Sequence, residues 1–328
     1  MDVTSWLLDS DPAIRWQVLR DLTDAPSEEV DAERARVANE GWGARLLGMP
    51  DESGLWAGGA FVPREVFDAW KAGVEPPAID GQHWTSTSWA LQQLRDFGID
   101  PADQRVKDAI ELVRRNGRWE HDEQPFFDGE VEPCINGRTV AAGAYFSVDG
   151  SPDASGIVDL LLTEQMEDGG WNCAQDWDDS TRGSFETTID VVEGLLEYHR
   201  SVGDRPAIPA ALERAHDFML DRHLLRRLST GELINEAWMK LSYPPRSKYD
   251  ILRALDYLRS AGVEPDERWD EAVGIIRSKQ QPDGRWLLEN THPGPSSFEL
   301  EDGDGQPSRW NTLRALRVLR WVDSLSAS

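Results

Sequence analysis

Gln165-Met166-Glu167-Asp168-Gly169-Gly170-Trp171 opens the stretch QMEDGGWNCAQDWDDSTRGSFETTIDVVEGLLEY (165–198), in which a glycine-rich acidic turn passes into an amphipathic helix. Ile189, Val192, Leu195 and Leu196 recur at helical spacing and mark the buried face. The same Gly-x-Trp unit returns at Gly54-Leu55-Trp56, Gly117-Arg118-Trp119 and Gly284-Arg285-Trp286, with a degenerate copy at Gly231-Glu232-Leu233. The third positions are 63, 52, 62 and 53 residues apart, a repeat of about 55 to 60 residues. The economical reading of each pair is structural: the glycine turns the chain and the tryptophan staples the loop to the helix ends.

Each copy stands between two helical patterns. PADQRVKDAIELVRRNG, IPAALERAHDFMLDRH and DERWDEAVGIIRSKQ precede the turns; HWTSTSWALQQLRDF, SFETTIDVVEGLLEY, KYDILRALDYLRSAG and RWNTLRALRVLRW follow them. Alternating strand patterns are almost absent, so the expected fold is all-α. Connections after the second kind of helix are short and carry Gly or Pro, as in GIDP and AGVEP. Connections through Gly-x-Trp are long, and long loops in a compact domain are usually functional. Asp11-Pro12-Ala13-Ile14 reads as a capped helix start, and a helix is expected from about Ser27 to Leu47. About six hairpins result, which could close into a ring or stack as an open solenoid.

Acidic residues outnumber basic ones 60 to 34, a net charge of −26. Such a chain is repelled by nucleic acid and by anionic membrane surfaces, so neither is expected as a partner. No apolar run approaches the roughly 20 residues of a membrane span. The N-terminus MDVTSWLLDSDP lacks both a basic region before its short apolar patch and a small-residue cleavage site, so a cytoplasmic protein is expected. Cys134 and Cys173 are too few for a disulfide framework and point to thiolate or metal chemistry.

The pattern Gln-x-x-Asp-Gly-Gly-Trp at Gln165 to Trp171, followed by a loop, a Thr and an apolar helix, resembles the repeat of the terpenoid cyclase and protein prenyltransferase superfamily. Gln281-Pro282-Asp283-Gly284-Arg285-Trp286, followed by Arg314-Ala315-Leu316, is a second good copy. The resemblance covers most of the chain after residue 50. It implies one α/α toroid spanning 1–328, with residues 1–50 completing the ring, and an enzyme acting on an isoprenoid-like or other small apolar substrate.

Asp176-Trp177-Asp178-Asp179 has the Asp-x-Asp-Asp form with which one class of these cyclases protonates its substrate. In squalene-hopene-like relatives that motif directly precedes the Thr that opens an inner helix. Here SFETT (184–188) holds that position and the acidic run lies eight residues too early. The expected acid is therefore Glu186, with Glu132, Cys134 and Asp190 as further catalytic candidates. Trp84, Trp171, Tyr249 and Trp310 are the candidate substrate-binding aromatics.

Glu132-Pro133-Cys134 resembles the Asp-x-Cys with which prenyltransferase β subunits begin a zinc site; Glu186 stands where that family has a His. The resemblance thus implies zinc as cofactor, held by Glu132, Cys134 and Glu186, with Cys173 as a second thiolate. His121 and His292 lie on the same rim. The chain departs from that family around a diphosphate: Glu120 to Glu132 holds six acids and no Lys or Arg.

Glu186, Asp190, Glu193 and Glu197 form one polar stripe, and Arg314, Arg317 and Arg320 another. A ring lined by those faces has a centre partly filled by ion pairs or water. Three readings follow: an acid-initiated cyclase, a non-catalytic toroid binding a ligand or protein on its acidic rim, and a zinc-dependent transferase.

Overall fold

The computed structural model describes residues 2–326 except Pro77, Asp149, Trp177 and Asp204. Six helices form an inner ring: α2 (Pro12–Leu22), α6 (Thr87–Phe97), α8 (Pro133–Tyr145), α10 (Phe185–Ser201), α12 (Ile251–Ala261) and α14 (Arg309–Ser326). Around them lie α1 (Val3–Leu8), α3 (Ser27–Ala35), α4 (Gly41–Leu47), α7 (Gln104–Asn116), α9 (Ser155–Glu164), α11 (Ala207–Leu220) and α13 (Asp270–Ser278). Among the described residues the only sheet pairs Trp286–Leu287 with Pro307–Ser308.

Each inner helix packs on the next, from α6 through α8, α10, α12 and α14 to α2. The last step back to α6 is made by side chains of α2: Trp16 Nε1 donates to Phe97 O at 2.8 Å and Gln17 Nε2 to Asp96 O at 3.1 Å. The chain is therefore a closed α/α toroid. No helix among the described residues is long and apolar enough to cross a membrane.

The Gly-x-Trp staple has a repeated atomic form. The indole N–H of Trp56, Trp171 and Trp286 donates to Leu46 O, Leu161 O and Ile276 O, each ten residues upstream at the end of an outer helix. The backbone N–H of the same tryptophans donates to Thr87, Thr188 and Thr312 Oγ1, in the first turns of the following inner helices. One residue so ties the end of an outer helix to the start of an inner one. Gly169, two residues before Trp171, has φ +89°, and a Cβ there would lie 2.3 Å from Arg214 O. Trp171→Phe keeps an aromatic ring but deletes the indole N–H and part of a buried side chain, leaving Leu161 O unpaired, so chemical denaturation is expected to show a loss of about 2–3 kcal/mol.

Two expectations change in detail. The helix expected over Ser27–Leu47 is two helices, because Gly41 takes φ +63° and a Cβ there would lie 1.9 Å from Asp11 Oδ2. Asp11 caps α2 through Ala13 N at 2.9 Å and also accepts from Trp42 N at 2.8 Å, which turns the chain at this point. The sequence patterns supply five outer segments, whereas α1, capped by Asp2, supplies a sixth. A further short helix, α5 (Arg64–Lys71), lies inside the long connection to α6.

The closest helix crossing positions the site. In α8, a Cβ on Gly137 would lie 2.5 Å from Asp190 O; in α10, a Cβ on Gly194 would lie 2.1 Å from Gly137 O. Two facing glycines thus let the backbones of α8 and α10 touch, and the starts of both helices meet at the long-loop rim.

Candidate functional site

Helix α8 begins with Glu132 at its N-cap and Pro133 at its first position, which places Cys134 inside the first turn. Asn136 holds the preceding loop by accepting from Glu130 N at 2.7 Å and donating to Glu130 O at 2.6 Å. On the neighbouring repeat, Asn172 donates to Ser180 Oγ and Arg182 O and accepts from Ala174 N, shaping the short 3-10 turn Cys173–Asp176. Cys173 N donates to Thr187 Oγ1 at 3.3 Å, and the Thr187 hydroxyl lies 3.4 Å from the Cys173 sulfur.

These two starts converge. Cys134 N donates to Cys173 Sγ at 3.4 Å, and the Cys134 thiol lies 3.5 Å from Glu132 Oε2. The ligand atoms of Glu132, Cys134 and Cys173 all fall within 4.8 Å of one another, on half-buried side chains. Both cysteines are free. Hydrogen bonding from the Cys134 thiol, with help from Thr187 and the Cys134 N–H against the cost of burial, lowers the Cys173 pKa. The same hydrogen bond, and then burial, raise that of Cys134. The pair is therefore polarised, with Cys173 the more acidic thiol and Cys134 the less acidic one, at a helix N-terminus that favours negative charge.

Glu186 is outside this group. Its carboxylate pairs with Lys248 Nζ at 3.4 Å, with side-chain exposures of 40 % and 45 %. The apolar enclosure that an alkene-protonating acid needs is not built around it, which corrects the expectation for Glu186 both as acid and as fourth ligand. Asp178 and Asp179 are exposed in the loop that follows Cys173, while Trp177 and the side chain of Asp176 lie outside the described residues.

Asp190, a further catalytic candidate, is completely buried and carries structure instead. It is held by Arg138 Nη1 and by Arg253 Nη2 at 2.7 Å. Arg253 also forks onto Glu193 at 2.8 Å, and Arg95 reaches Glu193 at 3.7 Å. Arg138 lies over the Trp89 ring at 4.7 Å. This network of α6, α8, α10 and α12 crosses the ring, as the polar stripe of α10 implies. Beyond it opens a cavity of about 440 Å³ whose lining includes Arg95, Asp96, Glu197, Asp256, Arg314 and Arg317. The centre of the toroid is charged.

Of the expected aromatics, Trp171 and Tyr249 are sealed. Trp171 is fully buried by its staple, and Tyr249 donates to Leu224 O at 2.7 Å among Phe185 and Trp238. Their rings have no open face to offer a substrate, which corrects that expectation for both. Trp310 stacks on Tyr243 at 4.5 Å and still borders the central cavity. Trp84 donates to Pro293 O at 2.9 Å and borders a small cavity near the rim. Sequence reasoning missed Thr187 as the residue that seats Cys173. It also missed Arg95, Arg138 and Arg253, whose only signal is that the acids of α10 need cations at equal depth on neighbouring helices.

The sequence matches no protein-family model and no curated protein. Among solved structures it is similar to a protein from Actinoplanes at 19% identity and TM-score 0.43, covering 96% of this chain and 90% of that one. It is also similar to type II terpene cyclase MstE from Scytonema. The MstE complex with geranylgeranyl dihydroxybenzoate matches at 17% identity and TM-score 0.35, over 90% of this chain and 97% of that one. The apo MstE structure matches at 16% identity and TM-score 0.36, over 90% and 99%.

Proposed function

We propose that this toroid is a zinc-dependent enzyme working at its long-loop rim, with Glu132, Cys134 and Cys173 as the protein ligands. The observation that carries the reading is the convergence of those three donor atoms within 4.8 Å, from two loops brought together by the glycine crossing of α8 and α10. Two sulfurs and one carboxylate suit zinc, and three protein ligands leave the fourth position of a tetrahedral site open, the arrangement of catalytic rather than structural sites. Zinc bound there supplies a Lewis acid that lowers the pKa of a water or thiol at the open position.

The chain's own residues prepare the site. Thr187 and the Cys134 N–H direct hydrogen bonds at the Cys173 sulfur, which favours its thiolate form. The Cys134 thiol sits next to Glu132 and must give up its proton for both sulfurs to ligate. The loop that carries Cys173 also contributes Thr181 to Ser184 to an open groove of about 710 Å³, where Phe185, Leu228, Ile234 and Trp238 form an apolar wall opposite charged residues such as Asp168, Arg222 and Arg227. That wall supports a small substrate with an apolar, isoprenoid-like part.

Protein purified without added metal is expected to contain about one zinc per chain by elemental analysis. Cys134→Ser and Cys173→Ser should each weaken zinc binding at least about 100-fold in a chelator competition, beyond the range for losing an outer-shell partner. Because Cys134 gives up a proton on ligation, affinity should rise with pH, by up to about tenfold per unit while that thiol is protonated. Wild-type protein that retains no zinc and competes for none at any pH would overturn the reading.

A further inference from the structure

We propose that Arg246 forms the anchor of a second site, a recess between the loop 291–303 and the turn 242–248 that binds the carboxylate of a small organic acid. The recess is a cavity of about 60 Å³ bordered by Trp84, Tyr243, Arg246, His292, Phe298 and Glu301, among others. That is room for several waters or for a carboxylate head with a short chain.

The argument starts from what Arg246 lacks. Its guanidinium makes no hydrogen bond and no ion pair with any described residue; its one contact of this kind is cation–π, over the Trp84 ring at 5.4 Å. Among the described residues, the arginines that cross the ring, Arg138, Arg253 and Arg317, are each matched to carboxylates. A guanidinium carries five N–H donors in a planar fork; Arg246 is half-buried and lines the recess with those donors unused by the described residues. Burial, the leading cause, lowers the Arg246 pKa to about 10, against smaller opposing effects of Tyr243, Asp96 and Glu299. Arg246 also has φ +56°, a left-handed conformation that costs a β-carbon residue about 1–2 kcal/mol.

The rest of the lining selects the anion. Glu301 is half-buried, accepts from Ser308 Oγ at 2.6 Å and Trp310 N at 3.2 Å, and its pKa is pushed up by burial to about 7. Near neutrality it can present an O–H to a bound oxygen. His292, lowered to about 4 by burial and then by Lys248 and Arg246, is neutral there. Glu299 also borders the recess. One fixed cation, one protonatable acid and a further carboxylate suit a monoanion and repel a phosphate dianion. The planar fork of Arg246 matches a carboxylate edge in bidentate fashion, and the Trp84, Tyr243 and Phe298 rings suit an apolar chain behind it.

The test uses the full-length protein with acetate, propionate and butyrate as probes, against chloride and inorganic phosphate at matched ionic strength. Binding is read by ligand-observed NMR and by thermal denaturation. Wild-type protein is expected to bind butyrate saturably in the millimolar range, more tightly than acetate and at least tenfold more tightly than phosphate. Arg246→Asn should abolish that binding while the ligand-free melting temperature stays within about 3 °C of wild type or rises, because no protein hydrogen bond is lost and the left-handed backbone is tolerated. Arg246→Lys keeps the charge without the fork and should weaken butyrate at least tenfold. Equal butyrate binding by wild type and either variant, no saturable binding by wild type, or a preference for phosphate would each overturn the proposal. A ligand-free melting temperature of Arg246→Asn far below wild type would do so as well, since it would mean that the guanidinium is held by the fold.

Discussion

Asp190→Ala is expected to destabilise the protein by about 3–5 kcal/mol, read as a shift of the urea midpoint with an unchanged slope. The carboxylate has no exposed surface and stands between Arg138 and Arg253, which are themselves 4 % and 3 % exposed. Removing it strands two guanidinium groups in the middle of the ring; Arg253 keeps Glu193, but Arg138 keeps only the faces of Trp89 and Phe61. Breaking one side of a buried ionic network costs more than the network itself contributes, because the desolvated partner remains. Asp190→Asn, which preserves an acceptor, should lose less. The same network sets a pH dependence. Burial raises the Glu193 pKa, but the Arg253 guanidinium and then Arg95 outweigh it, and the folded value lies below the ordinary 4.5. The unfolded chain then binds the proton more tightly, so this contribution is fully present above about pH 4.5 and is lost as pH falls through the lower, folded value. If Asp190→Ala were as stable as wild type while losing an activity, the residue would be catalytic after all.

Gly194→Ala is the second large effect, and its sign is opposite to what helix propensity gives. In an open helix, Ala for Gly is worth about 1 kcal/mol of stabilisation. Here the added Cβ would sit 2.1 Å from Gly137 O, a backbone atom that can move only if α8 and α10 separate. The expected result is a net loss of about 2–3 kcal/mol, at the upper end of ordinary overpacking. If Glu132, Cys134 and Cys173 bind zinc as proposed, it should also weaken that binding, because the helix carrying Cys134 reaches Cys173 through that crossing. Gly274, inside α13, is the internal control: a Cβ there meets nothing within 4 Å. Gly274→Ala should stabilise by about 0.5–1 kcal/mol in the same denaturation experiment. Two glycines in similar helices thus carry opposite predictions, decided by what faces each.

Much of the ring is legible in the chain. The Gly-x-Trp spacing, the short Gly/Pro turns and the helical spacing in segments such as Phe185–Ser201 are local signals, set by backbone conformation and by the need of an amphipathic helix to bury one face. They sufficed for α6, α7, α10 and α11 and for the capped start of α2 at Asp11. The break at Gly41 was not legible, because it depends on Asp11 thirty residues away accepting from Trp42 N.

The candidate site divides in the same way. Glu132, Cys134 and Cys173 stood out as chemically able residues on one rim, since residue type and position in the repeat are properties of the sequence. Which of them share a site was decided only by tertiary structure: the Gly137–Gly194 contact sets how near α8 and α10 lie, and Thr187 sets where the Cys173 sulfur points. Asp190 and Glu186, four residues apart on one helix, look alike in sequence. Two arginines 52 and 63 residues away from Asp190 make it a buried structural anion, while Lys248 keeps Glu186 at the exposed rim. The sequence by itself determined the repeat, the helices and the acids and thiols available, because those follow from local periodicity and residue chemistry. The tertiary structure decided which charges are buried, which are paired and which donors converge, because desolvation and ion pairing depend on neighbours that are distant along the chain.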